Sequence, residues 1–470
     1  MSHRRGKPPN GKAGRKRPAL KVRSPVTVSK VTRRRALKIG AAASALPLVH
    51  IRTAGAAGKV SIVFYDAWVP AGNIALKKQV DAFAEKNKVE VQADFLSTAN
   101  NQIVITENAE AQAKAGHDAY SFATWEAPSH LDDLEPMDDV MARLAPKIGQ
   151  PNATAAYLAK KDGHWMAVPT SSGAQVKGPC GRISILRDAA GLDVTKMFPA
   201  SPSSPGLDTW NWDTFLKAAE ACAKVGKPFG IGLGTTGDSS DSAGCLFASF
   251  GAELVNAKGD LTVRTDAVRQ ALEYAQRLVK FLPSNAVSYD DASNNRVLIS
   301  GQSALIFNPP SAWAVAVHDN PPVGADCWHF PPPAGPKGRF VPIAAYFWGV
   351  WKFAKNKSAA KDLIEYLSQR EQSEERCNAT MGYDMPPWPS MMDFKVWETE
   401  GPPQGTLYNY PIRPWHKDVP LVSGSPAPPS IGVEIYNRGT MPTMMAKLLS
   451  GQSINDVMAW AENELEGFKR

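Results

Sequence analysis

The first patterned stretch of the chain is Lys59-Val-Ser-Ile-Val-Phe-Tyr65, a β-branched and aromatic run. It ends at Asp66-Ala-Trp68-Val-Pro70-Ala-Gly72, so the pattern predicts a strand entering a turn. From Asn73 to Lys86 the apolar positions Ile74, Leu76, Val80 and Phe83 follow a helical period, and residues 89–95 then alternate with period two. Residues 101–114 read as a second helix and His117 to Trp125 as a third strand. Strands and helices alternating this closely predict β-α-β units with a largely parallel sheet.

Beyond an extended crossing at His164 to Gly173 the signals turn helical. Asp213 is the expected cap of a helix carrying Phe215, Leu216, Ala219 and Cys222; further helices are expected over residues 266–282, 357–369 and 454–468. Between the first two lies the glycine-rich stretch Phe229 to Gly237, and Met385 to Pro429 is too rich in Trp, Tyr and Met for a solvated linker, so it should wrap over the body.

A length of 470 residues exceeds one ordinary core, and the net charge of +8 suggests acidic partners until the charges are located. Residues 1–58 hold 15 Lys and Arg and no acid; the remainder carries 38 positive against 45 negative charges, a net of −7. The basic character belongs to the N-terminal segment, which argues against nucleic acid as a partner. Its first 31 residues have too few apolar side chains to offset ordering entropy. Then come Thr32-Arg33-Arg34-Arg35-Ala36-Leu37-Lys38, an apolar stretch from Ile39 to Val49, and the small residues Ala54-Gly55-Ala56. That is the layout of a signal peptide, and the apolar stretch is about half the ~20 residues a membrane span needs. The pair Arg33 and Arg34 resembles the twin-arginine export consensus, so the expected setting is a bacterial periplasm, with the twin-arginine translocase as a partner during export and residues 1–57 as the targeting segment.

Enzyme signatures are absent: no His-Glu-x-x-His, no Gly-x-Ser-x-Gly and no Walker-type loop. Neither metal nor cofactor is expected. Gly232-Leu-Gly234-Thr-Thr-Gly237 fits a dinucleotide fingerprint, but a polar run, Asp238-Ser-Ser-Asp-Ser, follows where an apolar helix start belongs. Cys180, Cys222, Cys245, Cys327 and Cys377 are widely spaced, which fits small buried residues better than zinc ligands or a redox pair. The positive signal is aromatic. Thirteen tryptophans are many, and Trp68, Trp125, Trp313 and Trp348 fall at strand ends or in turns, where flat rings beside carboxylates and amides suit a sugar-sized ligand.

Several segments together resemble the extracellular solute-binding proteins that serve ABC importers, in particular their sugar-binding, maltose-binding-protein-like branch. They are the strand ending in Asp66-Ala-Trp68, Gly116-His-Asp118 leading to Trp125, Leu131-Asp-Asp-Leu134, Trp165-Met-Ala-Val-Pro169, Trp212-Asp-Thr-Phe215, Gly301-Gln-Ser-Ala304 with Trp313, and Leu449-Ser-Gly451 before the last helix. The resemblance runs from Lys59 to the C-terminus. It departs at Ala345-Tyr346-Phe347-Trp348-Gly349, where many members have Gly-Gly-Trp, and at Gly178-Pro-Cys180-Gly-Arg182, where Tyr-Asn is usual.

The resemblance implies an α/β architecture of two discontinuous lobes joined by a hinge, the type II periplasmic binding protein fold. Lobe 1 would take residues 58–172 and 335–375, and lobe 2 residues 173–334 and 376–470. It implies a non-enzymatic monomer that captures a sugar or polyol by closing and delivers it to ABC permease subunits. The expected ligand contacts are Asp66, Trp68, Trp125, Glu126, Ser171, Ser172, Gln175, Asn308, Trp313, Tyr346, Trp348 and Tyr436. Two alternatives stand beside it: the same fold binding a polyamine or other cation, and an exported nicotinamide-dependent oxidoreductase. A glycoside hydrolase would need a placed carboxylate pair.

Overall fold

The computed structural model describes residues 59–98, 102–170, 176–197, 205–399 and 419–468. The expected export segment with Arg33 and Arg34, and the expected ligand contacts Ser171, Ser172 and Gln175, lie outside the described residues.

The first patterned run is strand β1 (Lys59–Tyr65), and Val60, Ile62, Val63 and Phe64 are fully buried on both of its faces. Burial on both faces is what a parallel strand covered by helices requires. The Ala71–Asn87 helix leads to β2 (Glu90–Leu96), and the Gln102–Ala113 helix leads to β3 (Ala119–Ala123). Strands β2 and β3 both run parallel to β1, as β-α-β units demand. A small hairpin, β4 (Lys160–Lys161) with β5 (His164–Trp165), precedes β6 (Val168–Pro169).

The chain then passes to a second sheet built on β7 (Pro179–Arg182), flanked by β8 (Leu305–Phe307) and β9 (Cys327–His329), both antiparallel to it. Strand β10 (Phe340–Pro342) pairs with β12 (Val419–Leu421), and its Phe340 carbonyl accepts from Cys245 Sγ on the Gly237–Ser249 helix at 3.1 Å. Four residues later β11 (Tyr346–Val350) is back in the first sheet, antiparallel between β3 and β6, giving the order β2-β1-β3-β11-β6. Two α/β lobes whose strands come from separate parts of the chain are the result. One hydrophobic cluster extends through both sheets, with a smaller one around Trp313, Cys180 and Cys327. All five cysteines are buried free thiols.

The lobe limits differ from those expected. Residues 335–342 sit with the second lobe. Residues 376–397 belong with the first: Asn152 N donates to the Pro387 carbonyl at 2.9 Å, Ser390 Oγ to that of Ile148 at 2.6 Å, and the Arg376 guanidinium to Gln79 Oε1 at 2.6 Å. The expected limits followed the chain crossings that the family resemblance implies, whereas packing decides the lobe: Met385, Trp388, Met391, Phe394 and Trp397 are all buried as part of the wrap.

Two local readings also change. Asn211, not Asp213, caps the Trp212–Lys224 helix, its side chain accepting from Thr214 N at 3.0 Å, while Asp213 stands in the first turn. The polar run after Gly237 is itself a helix, capped by Thr236, whose Oγ1 accepts from Ser239 N at 3.1 Å. Its serines are tolerated inside because they donate to nearby carbonyls, Ser240 Oγ to Tyr436 at 3.0 Å and Ser242 Oγ to Ser239 at 3.1 Å.

Candidate functional site

The ends of both sheets open on one cleft of about 440 Å³. The first lobe supplies the residues following β1 and β3 and the start of antiparallel β11, so Asp66, Trp68, Glu126 and Tyr346 share an edge. Open α/β sheets bind ligands at this carboxyl edge. The second lobe supplies Lys177 before β7, Asn308 after β8, the N-terminus of the Gly237–Ser249 helix, and Tyr436.

The first wall is built around a carboxyl held from two sides. Glu126 Oε2 accepts from Ala123 N at 2.7 Å and, in a short hydrogen bond, from the Tyr65 hydroxyl. Burial and the nearby Glu107 nonetheless push this carboxyl up to about 8, so at neutral pH it is mostly protonated. Tyr65 meets Tyr346 edge to face at 5.7 Å, and burial pushes the Tyr346 phenol up to about 12. Asp66 is exposed and accepts from Asn73 Nδ2 at 2.6 Å, while the partly exposed Trp68 stands beside it.

The second wall is ionic. Lys177 Nζ lies 2.8 Å from both Asp238 Oδ1 and Asp241 Oδ2. Burial acts to lower the lysine pKa, but the two carboxylates outweigh it and hold the ammonium well above its ordinary value. Asn294 Nδ2 donates to Asp238 Oδ2 at 2.8 Å, and the Tyr436 hydroxyl donates to Asp241 Oδ2 at 3.1 Å. Asp291 accepts from Asp238 N at 3.2 Å, and burial together with the Asp238 charge pushes it up to about 6. Asn308 is buried and donates to Asn295 Oδ1.

Of the expected contacts, Asp66, Trp68, Glu126, Asn308, Tyr346 and Tyr436 line this cleft. Trp125, Trp313 and Trp348 do not; all three are core residues. Strand β3 stops at Ala123, and the turn into the Glu126–His130 helix swings Trp125 inward, where Nε1 donates to the Ser423 carbonyl at 2.8 Å. Its ring lies so close to Gly432 that a Cβ there would come within 2.5 Å. Trp313 fills the small cluster in which second-lobe residues meet Val69 and Tyr383 of the first lobe, and Trp348 packs between Phe64 and the Arg376 guanidinium. The sequence reading missed Lys177, Asp238, Asp291, Asn295, Tyr383 and Asp384. The polar run after Gly237 was the available signal for two of these walls' members. The glycines before it answer to packing, since a Cβ on Gly234 would stand 2.3 Å from the Tyr289 carbonyl oxygen.

Residues 78–401 match the sequence profile of bacterial extracellular solute-binding proteins. The chain belongs to that family. Members are exported, and the two-lobed fold and interlobe cleft described above are those of a solute-binding protein. A relative from Deinococcus radiodurans, described as a probable ABC transporter-binding protein, is 26% identical over 176 residues, which span 36% of this chain and 42% of the relative. Solved structures share the fold at low identity. An ABC transporter solute-binding protein from Thermotoga lettingae bound with α-D-tagatose is 15% identical with a TM-score of 0.69. A sugar transporter protein from Arthrobacter chlorophenolicus with laminaribiose has 16% and 0.68, and a maltose-bound T. maritima protein 16% and 0.67. Each alignment covers 87% of this chain and 99% of the other.

Proposed function

We propose that this solute-binding protein is the capture component of an ABC importer and takes a sugar or polyol into the cleft between its lobes. The observation that carries this reading is the composition of the two walls. The aromatic residues Trp68 and Tyr346 and planar amide and carboxyl groups such as Asn308, Asn295 and Asp291 line one cleft of about 440 Å³. Hydroxyls suit such planar partners, and the C–H faces of a sugar suit the rings. Contacts from both walls are complete only when the lobes close on the ligand, so binding favours the closed arrangement, which permease subunits would then recognise. Saccharides bound by the structural relatives agree with this solute class.

Export would use the twin-arginine route through Arg33 and Arg34 and end in the periplasm, with the protein acting as a monomer and without catalysis. Isothermal titration of the mature chain against a panel of mono- and oligosaccharides and polyols tests the reading. One-to-one saturable binding to at least one member is expected; failure of all of them overturns it. The excess of carboxylates in the cleft favours a second reading, a polyamine or other cation, which the same panel separates when spermidine is included.

A further inference from the structure

The cleft's charges do not balance, and the imbalance has a position. Among the lining residues Lys177 is the cation, and its ammonium is already shared by Asp238 and Asp241 at 2.8 Å each. Asp238 also receives Asn294. Asp384 has the buried Arg376 as a positive neighbour, and Glu126 is mostly neutral. Two carboxylates are left facing the cleft with no cation of the protein at hydrogen-bond distance: Asp66 on the first wall, held by the neutral Asn73, and Asp291 on the second, held by the Asp238 amide. Lobe closure around a neutral ligand would enclose both negative charges in a space from which water has been displaced, where their repulsion is least screened.

We infer that the solute carries a protonated amine, an amino sugar, whose ammonium is taken by Asp291 and Asp66 as the lobes close. This deepens the carbohydrate reading and rests on it. A simple polyamine fits less well. The amides of Asn295 and Asn308 and the hydroxyl of Ser311 on the second wall bond to one another and have further donor and acceptor capacity, which sugar hydroxyls can use and the methylenes of a polyamine cannot. Sugar phosphates and uronates are disfavoured by the same carboxylates.

Isothermal titration at pH 7, where Asp291 is mostly ionised, with glucosamine, glucose and N-acetylglucosamine, their β-1,4-linked disaccharides where these exist, and spermidine tests the inference. The amino sugars should bind at least tenfold tighter than both their neutral and N-acetylated counterparts. Asp291→Asn should shrink that ratio severalfold, and Asp66→Asn provides a second variant at an exposed position where folding is not at stake. Equal or tighter binding of a neutral or N-acetylated sugar overturns the amino-sugar inference and leaves the carbohydrate reading standing. Binding of spermidine with no amino sugar, or of no probe at all, overturns the amino-sugar inference, and the carbohydrate reading falls with it only when the wider panel of saccharides and polyols also fails to bind.

Discussion

The two walls of the cleft hold their polar groups by opposite means. The second wall is charged and internally paired: Lys177, Asp238 and Asp241 form a buried cluster in which each member would be costly alone. On the first wall the largest acid, Glu126, escapes that cost by keeping its proton, and rings rather than ions surround it. The ion-paired part of the second wall therefore cannot lose a partner, with Asp291 beside it held at about 6, whereas the first wall tolerates neutral substitutions and responds to pH through Glu126.

Removing the shared cation is the sharpest way to break this contrast. Lys177→Met strands Asp238 and Asp241 in the interior and should cost about 3–5 kcal/mol in urea unfolding. A loss below ~1 kcal/mol would mean that the second wall is not held by its ion pairs. In the first lobe, Trp125→Ala should cost about 3–5 kcal/mol because it empties a fully buried core site, while Trp68→Ala on the cleft wall should stay within ~1 kcal/mol and instead weaken ligand binding tenfold or more by titration. Similar stability for the two variants would erase the distinction between core and cleft tryptophans. Tyr436→Phe takes one donor from Asp241 and should lower stability by about 1–3 kcal/mol.

The smallest effect concerns the proton on Glu126. Because the folded chain holds it up to about 8 against an ordinary value of 4.5, this carboxyl favours folding fully below about pH 4.5, and that contribution is lost as pH rises through 8. Glu126→Gln keeps an acceptor for Tyr65 and Ala123 without a charge. Its melting temperature should match the wild type near pH 4.5 and exceed it by several degrees at pH 9. Parallel melting curves across that range would show that Glu126 ionises normally.

Much of the scaffold is readable from local pattern. Lys59–Tyr65 and Ile454–Phe468 form the strand and helix that their periodicity predicts, residue for residue. Asp66 and Trp68 could be placed at the cleft because they follow directly from β1, where no further turn intervenes. Trp125 could not: whether a residue just past a strand faces outward or inward depends on where the strand stops and which helix follows, here Glu126–His130. Tryptophan composition alone therefore overstated the aromatic lining.

What the sequence determined by itself is the local and the additive: the order of strands and helices, the N-terminal 58 residues as the seat of the basic charge, and a body with a net of −7. The tertiary structure alone decided how those acids are distributed. Lys177 meets Asp241 from 64 positions away, Asn152 meets Pro387, and Asp66 and Asp291 come to one cleft from different lobes. Hydrophobic periodicity specifies which face of an element is buried, but charge pairing depends on which buried faces meet, and that is a property of the packed chain.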